Sequence, residues 1–175
     1  MNSTMEAKEI IKEIVGKHEV KHVVFVGCGA SKADLYPAKY FLDQNAKQLR
    51  ISHYTANEFN YATPTSIDET TVVISASLGG ATPETVEANA IAKDKGATVI
   101  SLTRIIDAPL TKDADYVIYH GFAENYATKL EKTGYCLLLA VELLNQVEGY
   151  EHYDKMMDGL SLIHISEPTR PRLIS

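Results

Sequence analysis

Short, unbroken apolar runs that end in glycine and serine constrain this chain more than any other feature. In VKHVVFVGCGAS, Val23 to Val26 are apolar without interruption, and Gly27 and Gly29 follow. In TTVVISASLGGATPET, Val72-Val73-Ile74 lead into Ser75, Ser77, Gly79 and Gly80, and Thr82-Pro83-Glu84-Thr85 then opens a helix. A strand with one wet face alternates apolar and polar residues. An unbroken run expects cover on both faces, the habit of parallel sheets, whose strands are joined by helical crossovers. The rhythm predicts strands at 20–27, 49–55, 71–76, 98–102 and 116–120, with Arg50 and His53 marking the second as less buried. Helices are expected at 5–16, from the turn at 27–31 to about 46 with Pro37 in the first turn, at 83–95 and at 127–147; residues 57–66 read as irregular. The expected fold is α/β, a doubly wound five-stranded parallel sheet.

In such sheets ligands bind beyond the carboxyl ends of the strands, where the strand order reverses. Both glycine–serine loops lie at carboxyl ends and are expected to face one crevice. The second loop joins hydroxyls to the positive end of a helix dipole, which suits a phosphate. Thr82 is expected to cap that helix, and Pro83 fits the first helical position, where its missing N–H costs nothing. The same pattern also describes a βα turn with no ligand. Of the known phosphate motifs, GxxxxGK[ST] is absent, and GxGxxG fails because Lys32 stands at the third glycine. What remains is a hydroxyl-rich site of Ser31, Ser75, Ser77 and Thr82 with backbone amides between them, suited to a small phosphorylated metabolite.

Composition narrows the partners. A net charge of −6 with scattered lysines argues against a nucleic-acid surface. No apolar run approaches the ~20 residues of a membrane span. The N-terminal stretch lacks the apolar segment of a signal peptide, so a cytoplasmic protein is expected. Cys28 and Cys136 lie far apart and match no metal-ligand spacing, so no metal is expected. Residues 161–175, SLIHISEPTRPRLIS, resemble a translated sequencing adapter. They are set aside from the fold, and the natural chain is expected to continue past Leu160.

Three segments in order resemble the SIS (sugar isomerase) domain family. They are Cys28-Gly29-Ala30-Ser31, the run from Ser77 to Thr85, and Ala108-Pro109-Leu110 through Ala114-Asp115 before the fifth strand. The resemblance implies the SIS fold, a flavodoxin-like three-layer sandwich, over residues 20–147, after an N-terminal helix at 1–19 and before a linker beginning at 148–160. It implies that Ser77, Thr82 and the amides of Leu78, Gly79 and Gly80 hold a sugar phosphate, with Gly29 and Ser31 near the sugar. No cofactor is implied, and a homodimer or higher oligomer through SIS domains is. Gly79 stands where a second phosphate-binding serine is usual. Ala30 replaces a threonine found in the isomerase domain of glucosamine-6-phosphate synthase, which points instead towards the deglycases of phosphorylated Amadori products (fructoselysine and glucoselysine 6-phosphate). Those enzymes carry two SIS domains in tandem, and this chain would be the first. A single-domain sugar-phosphate isomerase, an isomerase domain like that of glutamine–fructose-6-phosphate aminotransferase and a non-catalytic sugar-phosphate sensor remain as alternatives.

Individual side chains are read against plainer roles. Cys28 lacks a partnering histidine and reads as a strand-end residue rather than a nucleophile. Ser77 is outside any G-x-S-x-G context and suits a phosphate ligand better than a nucleophile. His53 and His120, at or near strand ends, read as partly exposed strand residues before proton shuttles. Glu124, after the fifth strand, sits where the resemblance puts a crevice glutamate and is the catalytic candidate, the main catalytic groups being expected in a second domain. The stripe Leu137, Val141 and Leu144, widened by Leu138 and Ala140, reads as core, wide enough to reach a second domain or a dimer partner.

Overall fold

The computed structural model describes the backbone of residues 3–121 and 127–164 and the side chains of residues 6–121 and 130–160. In chain order the elements are α1 (Ser3–Lys17), β1 (His22–Gly27), α2 (Gly29–Asn45), β2 (Arg50–Thr55), α3 (Ala56–Tyr61) and β3 (Thr71–Ala76). There follow α4 (Pro83–Asp94), β4 (Thr98–Thr103), a 3-10 turn (Pro109–Thr111), β5 (Tyr116–Tyr119), α5 (Ala127–Val147) and α6 (Tyr153–His164). All five strands are parallel, in the order β2-β1-β3-β4-β5.

The unbroken apolar runs do what parallel strands require. Side chains alternate across a strand, so Val23 and Phe25 of β1 join Val72 and Ile74 of β3 in one core. Val24, Val26 and Val73 point the other way into a second core. The first core is closed by α1, α2, α5 and α6 through Ile11, Ile14, Leu35, Leu42, Leu139 and Leu143. The second is closed by α3 and α4 through Ala56, Phe59, Ala88 and Ala92. Each fully buried aliphatic or phenyl side chain contributes roughly 1.5–3 kcal/mol of transfer free energy before its ordering cost is counted. Most of the wide apolar stripe of α5 is core: Leu138, Ala140, Val141 and Leu144 are all within 1 % of full burial, while Leu137 is half-buried.

Two local readings of the sequence are corrected. Residues 56–61 form a helix rather than irregular chain, because Thr55 and Glu58 make a capping box: the Glu58 amide donates to Thr55 Oγ1 (3.1 Å) and the Thr55 amide to Glu58 Oε2 (2.7 Å). Pro37 lies well inside α2 rather than in its first turn, since the helix begins directly at Gly29. Its ring removes one helical donor there, which the rest of the 17-residue helix tolerates. The stretch after α5, expected as the start of a linker, makes hydrogen bonds to the body of the fold. Glu148 accepts the amides of Lys47, Gln48 and Leu49 at 2.8–2.9 Å, and Tyr153 donates to Glu142 Oε1 at 2.6 Å. Burial alone would raise the Glu148 pKa, but the three amides outweigh it and hold the carboxyl below its ordinary value. Among the described residues no helix is long and apolar enough to cross a membrane.

Candidate functional site

The strand order reverses between β1 and β3. From β1 the chain turns into α2 on one face, and from β3 it passes to α4 on the other. Gly27 and Ala76, the last residues of the two strands, are register partners. The loops beyond them meet: Thr85 Oγ1, at the start of α4, lies 3.7 Å from Cys28 Sγ. The two glycine–serine loops are therefore neighbours at the carboxyl edge of the sheet.

The loop after β3 is held from behind. The Ser77 amide donates to Leu102 O (3.1 Å) and carries the β3–β4 ladder one residue further. Leu78 O accepts from the Arg104 amide (3.0 Å), and Gly80 O from the Leu110 amide (2.9 Å). With its carbonyls engaged there, the loop keeps the Leu78 and Gly79 amides without an acceptor among the described residues. The Gly80 amide is spent on Ser77 O (3.1 Å), so of the three amides read from the sequence it is committed within the loop. Thr82 also behaves differently from the expectation. It occupies the N-cap position of α4, but its hydroxyl makes no cap hydrogen bond and lies 3.0 Å from Ser77 Oγ. The two hydroxyls form a pair beside the positive end of the α4 dipole, where an anion is favoured.

Ser75 does not belong to the site. It is fully buried on the α4 side of the sheet, 2.9 Å from Ser101 Oγ. Asn89 of α4 donates to Ser101 Oγ (2.8 Å) and to Leu110 O (2.9 Å), and Leu110 in turn donates to Gly80 O. This buried network ties α4 and the 3-10 turn to the loop, so Ser75 supports the site from beneath instead of lining it.

The loop after β1 turns through Gly29 at φ +52°, a left-handed conformation that favours glycine. Ser31 follows in the first turn of α2, half-buried, its amide bonded to Cys28 O. Two adjacent residues of α5 reach the carboxyl-edge loops, and the sequence reading missed both. Glu131 accepts the Gly121 amide (2.8 Å) at the end of β5, and Lys132 donates to Ser31 Oγ (3.0 Å) and pairs with Asp34 (2.8 Å). Both are 6 % exposed. The signal was present as a charged Glu-Lys pair entering a long apolar helix, but the lysine contact spans 101 residues of chain. Gly121 packs against the β3–α4 loop, its would-be Cβ 3.0 Å from Leu78 Cδ1.

His53 and His120 differ in burial. His53 is half-buried and donates from Nε2 to Lys32 O (3.0 Å); burial holds its pKa below the usual histidine value against the pull of that carbonyl. His120 is fully buried, not partly exposed as read from the sequence. Cys28 is half-buried; Cys136 is fully buried, and desolvation pushes its thiol up to about 12. Glu124 lies outside the described residues. Among the described residues no cluster of histidine, cysteine and carboxylate side chains is arranged to hold a metal.

Residues 18–144 match the SIS domain family. The chain belongs to that family. Among curated proteins, this SIS domain is 33% identical over 155 residues to the fructosamine deglycase FrlB of Bacillus subtilis strain 168, covering 89% of this chain and 47% of FrlB. It is 30% identical over 136 residues to the isomerizing glutamine–fructose-6-phosphate aminotransferase of Clostridium tetani, covering 78% of this chain and 22% of that one. A Salmonella typhimurium LT2 structure assigned to the phosphosugar isomerases superposes with a TM-score of 0.88 at 40% identity, over 93% of this chain and 50% of that one. The chain thus spans about half the length of FrlB and of the Salmonella protein.

Proposed function

We propose that this SIS domain binds the phosphate of a sugar phosphate at the β3–α4 loop, and that it is the N-terminal half of a tandem-SIS deglycase. The intact enzyme would cleave a phosphorylated Amadori product, a fructosamine 6-phosphate, into glucose 6-phosphate and an amino acid. The observation that carries the binding reading is the Ser77–Thr82 hydroxyl pair with the Leu78 and Gly79 amides at the start of α4. Neutral donors and a helix dipole hold an anion there without a lysine on the loop. The likeness to FrlB, at half its length, supports the deglycase reading and its second domain.

The chemistry fits two acid–base groups across the sugar. A base takes a proton from C1 of the open-chain ketosamine, and the electrons form a C1–C2 enaminol. An acid then protonates C2, leaving an imine between C1 and nitrogen. Water adds to the imine carbon, the C1–N bond breaks, and the aldehyde and the free amine leave. In this reading Glu124 supplies one acid–base group, Gly29 and Ser31 border the sugar, and the remaining catalytic groups come from the second domain. The assembly is a cytoplasmic dimer or higher oligomer through SIS domains.

The test is a calorimetric titration with a 6-phosphorylated fructosamine and its unphosphorylated counterpart. Binding should require the phosphate. Ser77→Ala and Thr82→Ala should each weaken it about tenfold, the worth of one hydrogen bond to a charged group. Unchanged affinity in both variants would sink the placement.

A further inference from the structure

Lys132 is the buried charge that the phosphate-binding reading leaves unused. Its side chain is 7% exposed and enters from α5 between two residues of α2, donating to Ser31 Oγ at 3.0 Å and to Asp34 Oδ2 at 2.8 Å. Stability alone is a weak reason to keep such a group, because a buried ion pair can often be replaced by apolar side chains at no net loss. Its effect on Ser31 is directional. An ammonium has three donors and no acceptor, so Ser31 Oγ must accept the hydrogen bond from it. The one hydrogen of the serine hydroxyl is then turned away from Lys132, and Ser31 is left to act as a donor. In the first turn of α2, beside Gly29, that donor suits an acceptor such as a sugar oxygen rather than an N–H.

The geometry points to Lys132 as a positioning residue that fixes Ser31 as a hydrogen-bond donor to a sugar oxygen, and so sets selectivity for the sugar as distinct from its phosphate. Asp34 holds the ammonium in place, and the neighbouring Glu131 ties down the end of strand β5 through the Gly121 amide. Two consecutive residues of α5 thus hold two of the loops at the carboxyl edge of the sheet, those after β1 and β5. The inference rests on the sugar-phosphate reading and adds to it a residue for the sugar half.

The experiment compares fructose 6-phosphate with inorganic phosphate, titrated against the parent, Lys132→Met, Lys132→Gln, Ser31→Ala and the Lys132→Met/Ser31→Ala double variant. Thermal melting checks that each is folded. The expected result is a five- to tenfold loss for fructose 6-phosphate in the lysine variants, with affinity for inorganic phosphate unchanged. In the Ser31→Ala background the lysine substitution should add nothing further, because it acts through that hydroxyl. Equal losses for both ligands, additive losses, or parental affinity in a folded lysine variant overturn the inference while the phosphate site stands. A parent that binds neither ligand overturns the sugar-phosphate reading and the inference with it. Lys132→Gln, whose amide can accept from Ser31 as well as donate and so no longer fixes the hydroxyl as a donor, carries the test if Lys132→Met does not fold.

Discussion

Two adjacent glycines show how much a single position can decide. Gly80 sits at φ +64°, and a Cβ there would collide with Ala108 Cβ and lie 2.6 Å from Thr103 Oγ1. Gly79 has no atom within 4 Å of its would-be Cβ and no left-handed backbone. Gly80→Ala should therefore lower stability by about 2–4 kcal/mol, combining backbone strain with a clash. Gly79→Ala should change it by less than about 0.5 kcal/mol. Chemical denaturation of the two variants side by side checks this, and similar losses in both would contradict the loop geometry. In the sequence the two residues are indistinguishable. The same is true of Ser75 and Ser77, two positions apart on β3 and its extension. Only the placement of α4 and the 3-10 turn shows Ser75 serving the buried network while Ser77 meets Thr82.

At the scale of elements, the central strands were legible because their apolar runs are continuous, and the edge strand because Arg50 and His53 interrupt its run. The helix α3 was missed although Thr55-x-x-Glu58 is a capping-box signature, since six residues carry too little periodicity to speak for a helix. The edge strand also carries a pH-sensitive contact. His22, 2% exposed at the start of β1, accepts from Arg50 through Nδ1 (2.9 Å) and so donates from Nε2 to Ser52 Oγ (2.8 Å), which makes it the neutral imidazole. Burial first, and then the Arg50 charge, lower its pKa to about 4. Its folded pKa lies below the unfolded value of about 6.5, so the unfolded chain binds more protons in between, and stability falls as the pH drops from about 6.5 towards 4. The contribution is roughly 2–4 kcal/mol across that window. Denaturation midpoints at pH 7 and pH 4.5 should differ less in His22→Gln than in the parent. An equal difference in both would show that His22 does not carry it.

For the molecule as a whole, the parallel topology follows from strand–helix alternation, and the switch point between β1 and β3 follows from the topology. That is why two loops 48 residues apart in the sequence, Gly29 and Ser77, were legible as one site. Contacts made by α5 were not legible, because an apolar helix gives no hint of which loops its first turns will reach. FrlB and the Salmonella protein are about twice the length of this chain, so under the proposed reading the site described is the phosphate-holding part of a larger enzyme. Amide chemical shifts followed during titration with fructose 6-phosphate test the central claim most directly. The account predicts the largest changes together at Leu78–Thr85 and at Gly29–Ser31, with little change at the amino ends of the strands around His18 and Tyr116. Shifts confined to one loop, or centred at the opposite edge of the sheet, would contradict a single sugar-phosphate site at the β1–β3 crevice.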